Sequence, residues 1–237
     1  MTVLSAAQSA LIRLVGRKPN TVFSSTEQTV VEIADLVTEV ATDIMKSHDW
    51  QALTRFHTIN GDGVTTSFDK PSDYDRMALA QGITDSQSWF WGYSQAPDLN
   101  TWPQMQNGYY LGAASPGWWL LIGDQFQFQP APNDGAVATF PYISRNFARS
   151  GTEVAQDHFD KDDDTFVLDD RLLTLGLIWR WRAQKRLEYS EDLQTYEIAL
   201  SQAQARDGGS RVIRHNGSRL PAGAVHAWPW ELGAETP

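Results

Sequence analysis

The sequence predicts an α+β protein: a mainly antiparallel bundle of about four helices, with a β-rich insertion between helices 2 and 3 and an extended C-terminal tail. Three observations support this fold class. Apolar residues recur at helical spacing near both ends of the first 209 residues. Between these ends lie short β-like runs separated by glycine and proline. The last segment has neither a helical nor a strand period.

These changes along the chain predict three parts. Residues 1–53 and 165–209 are expected to form the helical bundle, and residues 54–164 the β-rich insertion. Residues 210–237 are expected to form an extended tail for docking on a partner. Because helical segments flank the β-rich region on both sides, we interpret it as an insertion into the bundle and not as a unit on a linker.

The helix expected within residues 167–187 is predicted to be central. Its apolar side chains form two adjacent stripes, which together are wider than a surface helix needs. Asp169 stands where an N-terminal cap belongs, and arginines crowd the C-terminal half, where the helix dipole favours cations. The residues predicted for the bundle core are Leu172, Leu175, Trp179 and Trp181.

Three further helices are predicted around it. The first covers residues 4–15 and is closed by Gly16. The second begins after Ser25 or Thr26, either of which is a suitable N-cap, and continues to about Met45. The fourth covers residues 190–206 and ends before the glycines at 208 and 209.

Two β-hairpins are predicted in the insertion. The first turns at Gly61-Asp62-Gly63, because glycine supplies the positive φ of a tight connection. The second turns at Gly123-Asp124, and the alternation of Phe126 and Phe128 with glutamines predicts one solvent-facing side. Residues 69–80 are expected to hold a short helix, and residues 96–116 to form a loop.

Composition narrows the functional classes. The chain has no cysteine, which excludes disulfides and thiolate chemistry. Its formal net charge of −10 argues against a protein that grips nucleic-acid phosphates. No apolar run approaches the length of a membrane span, and the N-terminus does not resemble a secretory signal. We expect a protein made in the cytoplasm, without processing and without a membrane.

Enzyme signatures are missing from the sequence. The phosphate-binding, dinucleotide-binding, nucleophile-elbow and zinc-protease motifs are absent. The five histidines, at positions 48, 57, 158, 215 and 226, have no spacing typical of a metal site or a catalytic triad. The sequence therefore predicts no catalytic residue and no cofactor. A hydrolase using carboxylates between Asp157 and Asp170 is the weakest of the functional hypotheses.

The acidic run at residues 160–164 has the oxygen ligands that a calcium loop uses. A twelve-residue loop that begins at Asp160 requires glycine at position 165 and glutamate at position 171. The chain has Thr165 and Arg171 there. We therefore predict no metal site and interpret the run as a solvated acidic turn before a helix N-terminus.

The aromatic residues of the insertion suggest a second functional class. Flat rings with polar rims suit sugars, so a carbohydrate-binding module is the alternative hypothesis. A packed core or an interface between copies explains the same composition. The aromatic residues concerned are Trp89, Phe90, Trp91, Tyr93, Trp102, Trp118 and Trp119.

Two helical segments carry a resemblance to a known family. LLTLGLIWRWRAQKRLEYSEDLQTYEIALSQAQARDGG, together with an N-terminal helix that ends in HDWQALT, resembles the head-to-tail adaptor proteins of tailed bacteriophages. The resemblance implies a structural virion protein at the neck that forms a ring, a dodecamer in the family. Its implied partners are the portal, a tail or nozzle protein, and genome DNA that passes through the lumen without tight binding.

The resemblance also assigns the portal contacts to the C-terminal extension. Here that extension begins at Ser210 and contains arginines first and apolar anchors afterwards. Segments of this kind usually order on a partner surface, where buried aromatic side chains carry much of the affinity. The predicted portal-binding residues are Arg211, Arg214, Arg219, Val225, Trp228 and Trp230.

Overall fold

The structure is a computed structural model that describes residues 2–78, 83–86, 92–106 and 117–208. These residues form five helices and eleven short strands. The helices are α1 Val3–Val15, α2 Gln28–Lys46, α3 Trp102–Gln106, α4 Asp170–Gln184 and α5 Ser190–Asp207. A single 3-10 turn, Gln51–Leu53, follows α2.

The strands are grouped in three antiparallel or mixed sheets. In chain order they are β1 Thr54–Asn60, β2 Ser67–Asp69, β3 Tyr74–Met77, β4 Thr84–Asp85, β5 Ser94–Gln95, β6 Trp118–Ile122, β7 Gln125–Gln129, β8 Val137–Ser144, β9 Ala148–Arg149, β10 Ala155–Gln156 and β11 Thr165–Phe166. One sheet has the order β1-β8-β3, with β4 also paired to β8, and a second has the order β2-β7-β6-β5. The third has the order β10-β9-β11.

The chain divides into two compact units. Residues 2–54 and 143–208 form a helical unit that also contains the sheet β10-β9-β11. Residues 55–142 form a β unit. The predicted fold class, a mainly helical bundle with one β-rich insertion, is therefore wrong. The β unit buries its own aromatic core, and the segment before α4 forms a further sheet from two-residue strands that carry no apolar period.

Helix α4 is the centre of the helical unit, because α1, α2 and α5 all pack against it. From Leu172 to Ile178 every residue of α4 is buried. Gly176 lies at the closest approach, where a Cβ atom would stand 2.4 Å from Val40 Cγ1 on α2 and 3.5 Å from Tyr196 Cε2 on α5. A side chain at this position would separate the helices.

Three phenylalanines form an aromatic cluster beside the small sheet of the helical unit. Phe147, Phe159 and Phe166 are each buried, and their ring centroids lie 5.5 to 6.2 Å apart with edge-to-face geometry. Such pairs contribute beyond the area they bury. They give the segment between β8 and α4 an apolar centre of its own.

The β unit has an aromatic core between its two sheets. Phe126 and Phe128 of β7 and Phe140 of β8 are fully buried, and the rings of Phe126 and Phe140 lie 4.7 Å apart. A smaller cluster joins α3 to β6 through Trp102, Met105 and Leu120. The residues that complete the main core are Ile59, Ile83, Tyr93, Trp119, Ala138 and Tyr142.

The predicted helix ends agree with the structure where they depend on residues close by in the sequence. Gly16 ends α1 with a φ of 71°, and the side chain of Asp169 accepts a hydrogen bond from the Arg171 N–H at the start of α4. The short helix expected within residues 69–80 is a strand, β3. The expected loop at 96–116 holds α3, and residues 107–116 lie outside the described residues.

The second predicted hairpin is confirmed and the first is wrong. β6 and β7 pair around Gly123 and Asp124, with Phe126 and Phe128 on the buried side. β1 instead pairs with β8, and β2 with β7. Gly61 explains the difference, because it exchanges backbone hydrogen bonds with residues 135 and 136 rather than closing a turn.

Replacing Gly176 with alanine is expected to destabilise the helical unit by about 1 to 3 kcal/mol, since Val40 has a stiff, buried side chain. This loss outweighs the gain of about 1 kcal/mol in helix propensity. Urea unfolding measures the net change in the free energy of unfolding. Gly176→Ala combined with Val40→Ala should cost less than the sum of the single changes, whereas Gly208→Ala, which meets no atom closer than 4.0 Å, is the matched control. Equal effects of Gly176→Ala and Gly208→Ala would refute the close-approach argument.

Candidate interaction surfaces

The predicted bundle-core residues lie on α4. Leu172, Leu175 and Trp181 are buried, with exposed fractions of 1%, 8% and 8%. Trp179 is half-buried, and its ring lies 5.9 Å from that of Tyr196 and beneath the guanidinium of Arg180. The four side chains therefore face more than one neighbouring helix, as expected for a helix that is covered on several sides.

Glutamates of α2 connect that helix to the C-terminal half of α4. Glu32 accepts hydrogen bonds from Trp181 Nε1 at 3.0 Å and from Lys185 Nζ at 2.6 Å. Glu39 forms an ion pair with Arg180. The hydrogen bond from Lys185, followed by that from Gln28, lowers the pKa of Glu32. These contacts fix the axial register of α2 on α4.

Two carboxylates of the acidic run accept hydrogen bonds from backbone N–H groups and so connect segments of the chain. Asp162 Oδ1 accepts hydrogen bonds from the Val22 and Phe23 N–H groups at 2.9 and 3.1 Å. Asp164 is fully buried, and its Oδ2 accepts from the N–H groups of Asp160 and Lys161. The interpretation of this run as a wholly solvated turn is therefore wrong for these two residues.

The main chain of the same loop continues the connection. The Val3 N–H donates to the Asp164 carbonyl at 2.7 Å, and Thr2 forms a β-bridge with Thr165. The loop thus joins the start of α1, the linker after α1 and the start of α4. No local sequence signal reveals this role, because Asp162 and Val22 are 140 residues apart.

Asp157 and His158 are exposed and hydrogen-bonded to each other, with Oδ1 and Nδ1 2.9 Å apart. The hydrogen bond between them raises the pKa of His158 and lowers that of Asp157. Within the described ranges, no group of three or more histidine or acidic side chains is placed to hold a metal ion. In the same part of the chain, no helix combines the length and apolar character of a membrane span.

The aromatic residues considered for sugar binding lie mostly in the core. Trp102, Trp119 and Tyr93 are buried, and Trp118 is half-buried. The segment Trp89 to Trp91 lies outside the described residues. Among the described tryptophans none forms an exposed platform, so the alternative hypothesis of a carbohydrate-binding module gains no support from them.

The predicted portal-binding residues, from Arg211 to Trp230, all lie outside the described residues. The point from which this tail leaves the fold is described. Asp207, the last residue of α5, accepts a hydrogen bond from the Gln51 N–H at 2.9 Å and lies 3.5 Å from His48 Nε2. The side-chain amide of Gln204 donates to the Ser47 carbonyl. The end of α5 is therefore fixed to the segment that follows α2.

The family model named SU10 adaptor protein matches residues 1–222 of the chain. The chain belongs to this family of phage head-to-tail adaptor proteins, as the sequence resemblance predicted. It is thus a structural component of the virion. A search of curated proteins gives no match.

The contacts of Asp162 predict a specific loss of stability. Asp162→Ala leaves the Val22 and Phe23 N–H groups without their acceptor, and we expect a cost of about 1 to 3 kcal/mol in urea unfolding. Asp163→Ala, at an exposed position of the same loop, is the control and should change stability by less than about 0.5 kcal/mol. If both variants unfold at the same urea concentration, Asp162 does not hold the linker.

The lowered pKa of Glu32 predicts a pH dependence. Its stabilising contribution is complete above the ordinary glutamate value of 4.5 and is lost as the pH falls through the lower pKa of the folded state. The difference in unfolding free energy between the wild type and Glu32→Gln should be constant near neutral pH and should shrink in acid. Gln194→Ala, at an exposed position of α5, removes no titratable group and should show no such change. A pH-independent difference for Glu32→Gln would contradict the assignment.

Proposed function

We propose that the protein forms a ring that joins the portal to the tail at the neck of the virion. The ring is a dodecamer, as the family resemblance implies. A tail or nozzle protein binds on the other side of the ring, and the chain is made in the host cytoplasm. The observation that carries this proposal is the family match over residues 1–222. Residues 1–53 and 165–209 supply the ring body, and residues 54–164 form the inserted part.

We further propose that residues 210–237 dock on the portal. The segment starts next to Asp207, whose contacts with Gln51 and His48 fix its origin on the helical unit. An extended chain of this length reaches up to about 90 Å, enough to extend beyond the copy that carries it. The family match includes Arg211, Arg214 and Arg219, while Trp228 and Trp230 lie beyond its end at residue 222.

In this proposal genome DNA passes through the lumen without being held. The formal net charge of −10 supports this role, because a wall with excess negative charge repels phosphates and keeps friction low. The exposed acids of the segment before α4 are suited to such a wall. They include Glu153, Asp157, Asp160, Asp163 and Asp169.

The docking role of the tail is tested with full-length variants. Trp228→Ala with Trp230→Ala should weaken binding to the portal of the same phage by about 700-fold, because each buried aromatic anchor is worth about 2 kcal/mol and about 1.4 kcal/mol is a factor of ten. Trp228→Phe with Trp230→Phe retains large apolar rings and should bind much more tightly than the alanine variant. Co-sedimentation with purified portal measures both, and leakage of DNA from filled heads gives an independent readout.

A second variant separates charge from anchoring. Replacing Arg211, Arg214 and Arg219 with glutamine should lower the rate of association with the portal, and the dependence of that rate on salt, more than it changes the dissociation rate.

The outcome for the tryptophans decides the proposal. If the variant with Trp228→Ala and Trp230→Ala binds the portal within about twofold of the wild type, the tryptophans are not anchors and the proposed docking role of the tail fails.

A further inference from the structure

A groove opens on the helical unit between α1 and α5. Both helices pack on α4, and they leave between them a space with a volume of about 360 Å³. Short side chains form its surface, including Ser5, Ala6, Ser9, Thr174 and Thr195. Arg13 and Arg171 stand at its rim, and the half-buried Asp170 also lines it.

The two arginines give the groove a basic rim. Both side chains are exposed, and no carboxylate among the described residues forms an ion pair with either of them. Three of the five other exposed arginines of the unit, Arg17, Arg145 and Arg149, do have such a partner. Ile12, next to Arg13 on α1, is 49% exposed. The groove thus combines shallow relief with positive charge at its rim, and an exposed apolar residue stands beside Arg13 in the sequence.

The outer face of α2 has the complementary chemistry. Asp35, Glu39 and Asp43 are exposed and follow each other at intervals of four residues, which places them in one stripe along the helix. Val31, one turn before Asp35, is 45% exposed. Asp35 forms no ion pair with a described residue, whereas Glu39 is already paired with Arg180 of its own chain.

The groove and this acidic face are two different surfaces of one subunit. The groove lies between α1 and α5, and the acidic stripe lies on α2. Two complementary surfaces that differ from each other form a heterologous contact, the kind that closes into a ring when the rotation between copies allows it.

We infer that the acidic face of α2 from one copy docks in the groove between α1 and α5 of the next copy. In this contact Asp35 and Asp43 approach Arg13 and Arg171 of the neighbour, and Val31 covers Ile12. The inference rests on the proposed ring and names the surfaces that build it. Charge complementarity fixes the direction in which copies follow one another.

The test uses two full-length variants with opposite charge reversals. The groove variant carries Arg13→Glu and Arg171→Glu, and the face variant carries Asp35→Lys and Asp43→Lys. Each variant alone places like charges across every contact, so ring formation, alone or on purified portal, should fall by at least about tenfold. Lys18→Glu with Lys161→Glu makes the same change in net charge as the groove variant, at exposed positions outside the groove, and should form rings normally.

Mixing the two variants gives the decisive observation. When groove and face variants alternate around a ring, every contact again joins opposite charges, so equimolar mixtures should regain rings visible by negative-stain electron microscopy and native mass spectrometry. Circular dichroism checks that each variant is folded, and the single reversals Arg13→Glu and Asp35→Lys replace the double variants if either is not.

The outcomes separate this inference from the proposed function. Rings from either variant alone, or folded variants that form no rings when mixed, would overturn the docking of α2 in the groove while leaving the ring intact. A wild-type protein that forms no ring, either alone or on the portal, would overturn the proposed function itself.

Discussion

The burial of α4 on three sides is the constraint on which the helical unit depends. A helix surrounded by α1, α2 and α5 cannot keep a solvated stripe along its buried turns, and from Leu172 to Ile178 the only polar side chain is that of Thr174. Thr174 satisfies its hydroxyl within the helix by donating to the Asp170 carbonyl. Gly176 then permits α2 and α5 to approach at the same level. Charged groups are displaced to the ends of α4, where they contact neighbouring helices.

This arrangement determines where charge is available for other molecules. Lys185, Arg180 and Arg182 are occupied by carboxylates of α2 and α5. Exposed ion pairs of this kind contribute little to stability, about 0 to 1 kcal/mol each. They do, however, make those cations less available for binding other molecules. Arg13 and Arg171 remain at the groove. In an acidic chain, such local positive charge marks a surface that a second negative surface would recognise.

The acidic segment before α4 combines structural and surface roles within a few residues. Asp162 and Asp164 turn inward and accept backbone hydrogen bonds, and Phe159 and Phe166 anchor the loop in an aromatic cluster. Asp160 and Asp163 remain exposed. A loop that is rigid on its inner side can present charge on its outer side at fixed positions, as the proposed channel wall requires.

The sequence by itself determined the features that depend on neighbouring residues. The helical period around Trp181, the cap at Asp169, the end of α1 at Gly16 and the hairpin at Gly123 each arise within a few residues, so local reading identified them. The family resemblance likewise rested on two helical segments and was confirmed.

Only the tertiary structure decided which distant segments meet. Gly61 bonds to residues 135 and 136 instead of closing a hairpin, and Asp162 accepts from backbone groups 140 residues earlier. The small sheet of two-residue strands and the groove beside Arg171 likewise arise from segments that are far apart in the chain. A local apolar period reports which face of an element is buried, but it contains no information about the partner that buries it, because many partners offer equivalent apolar surface.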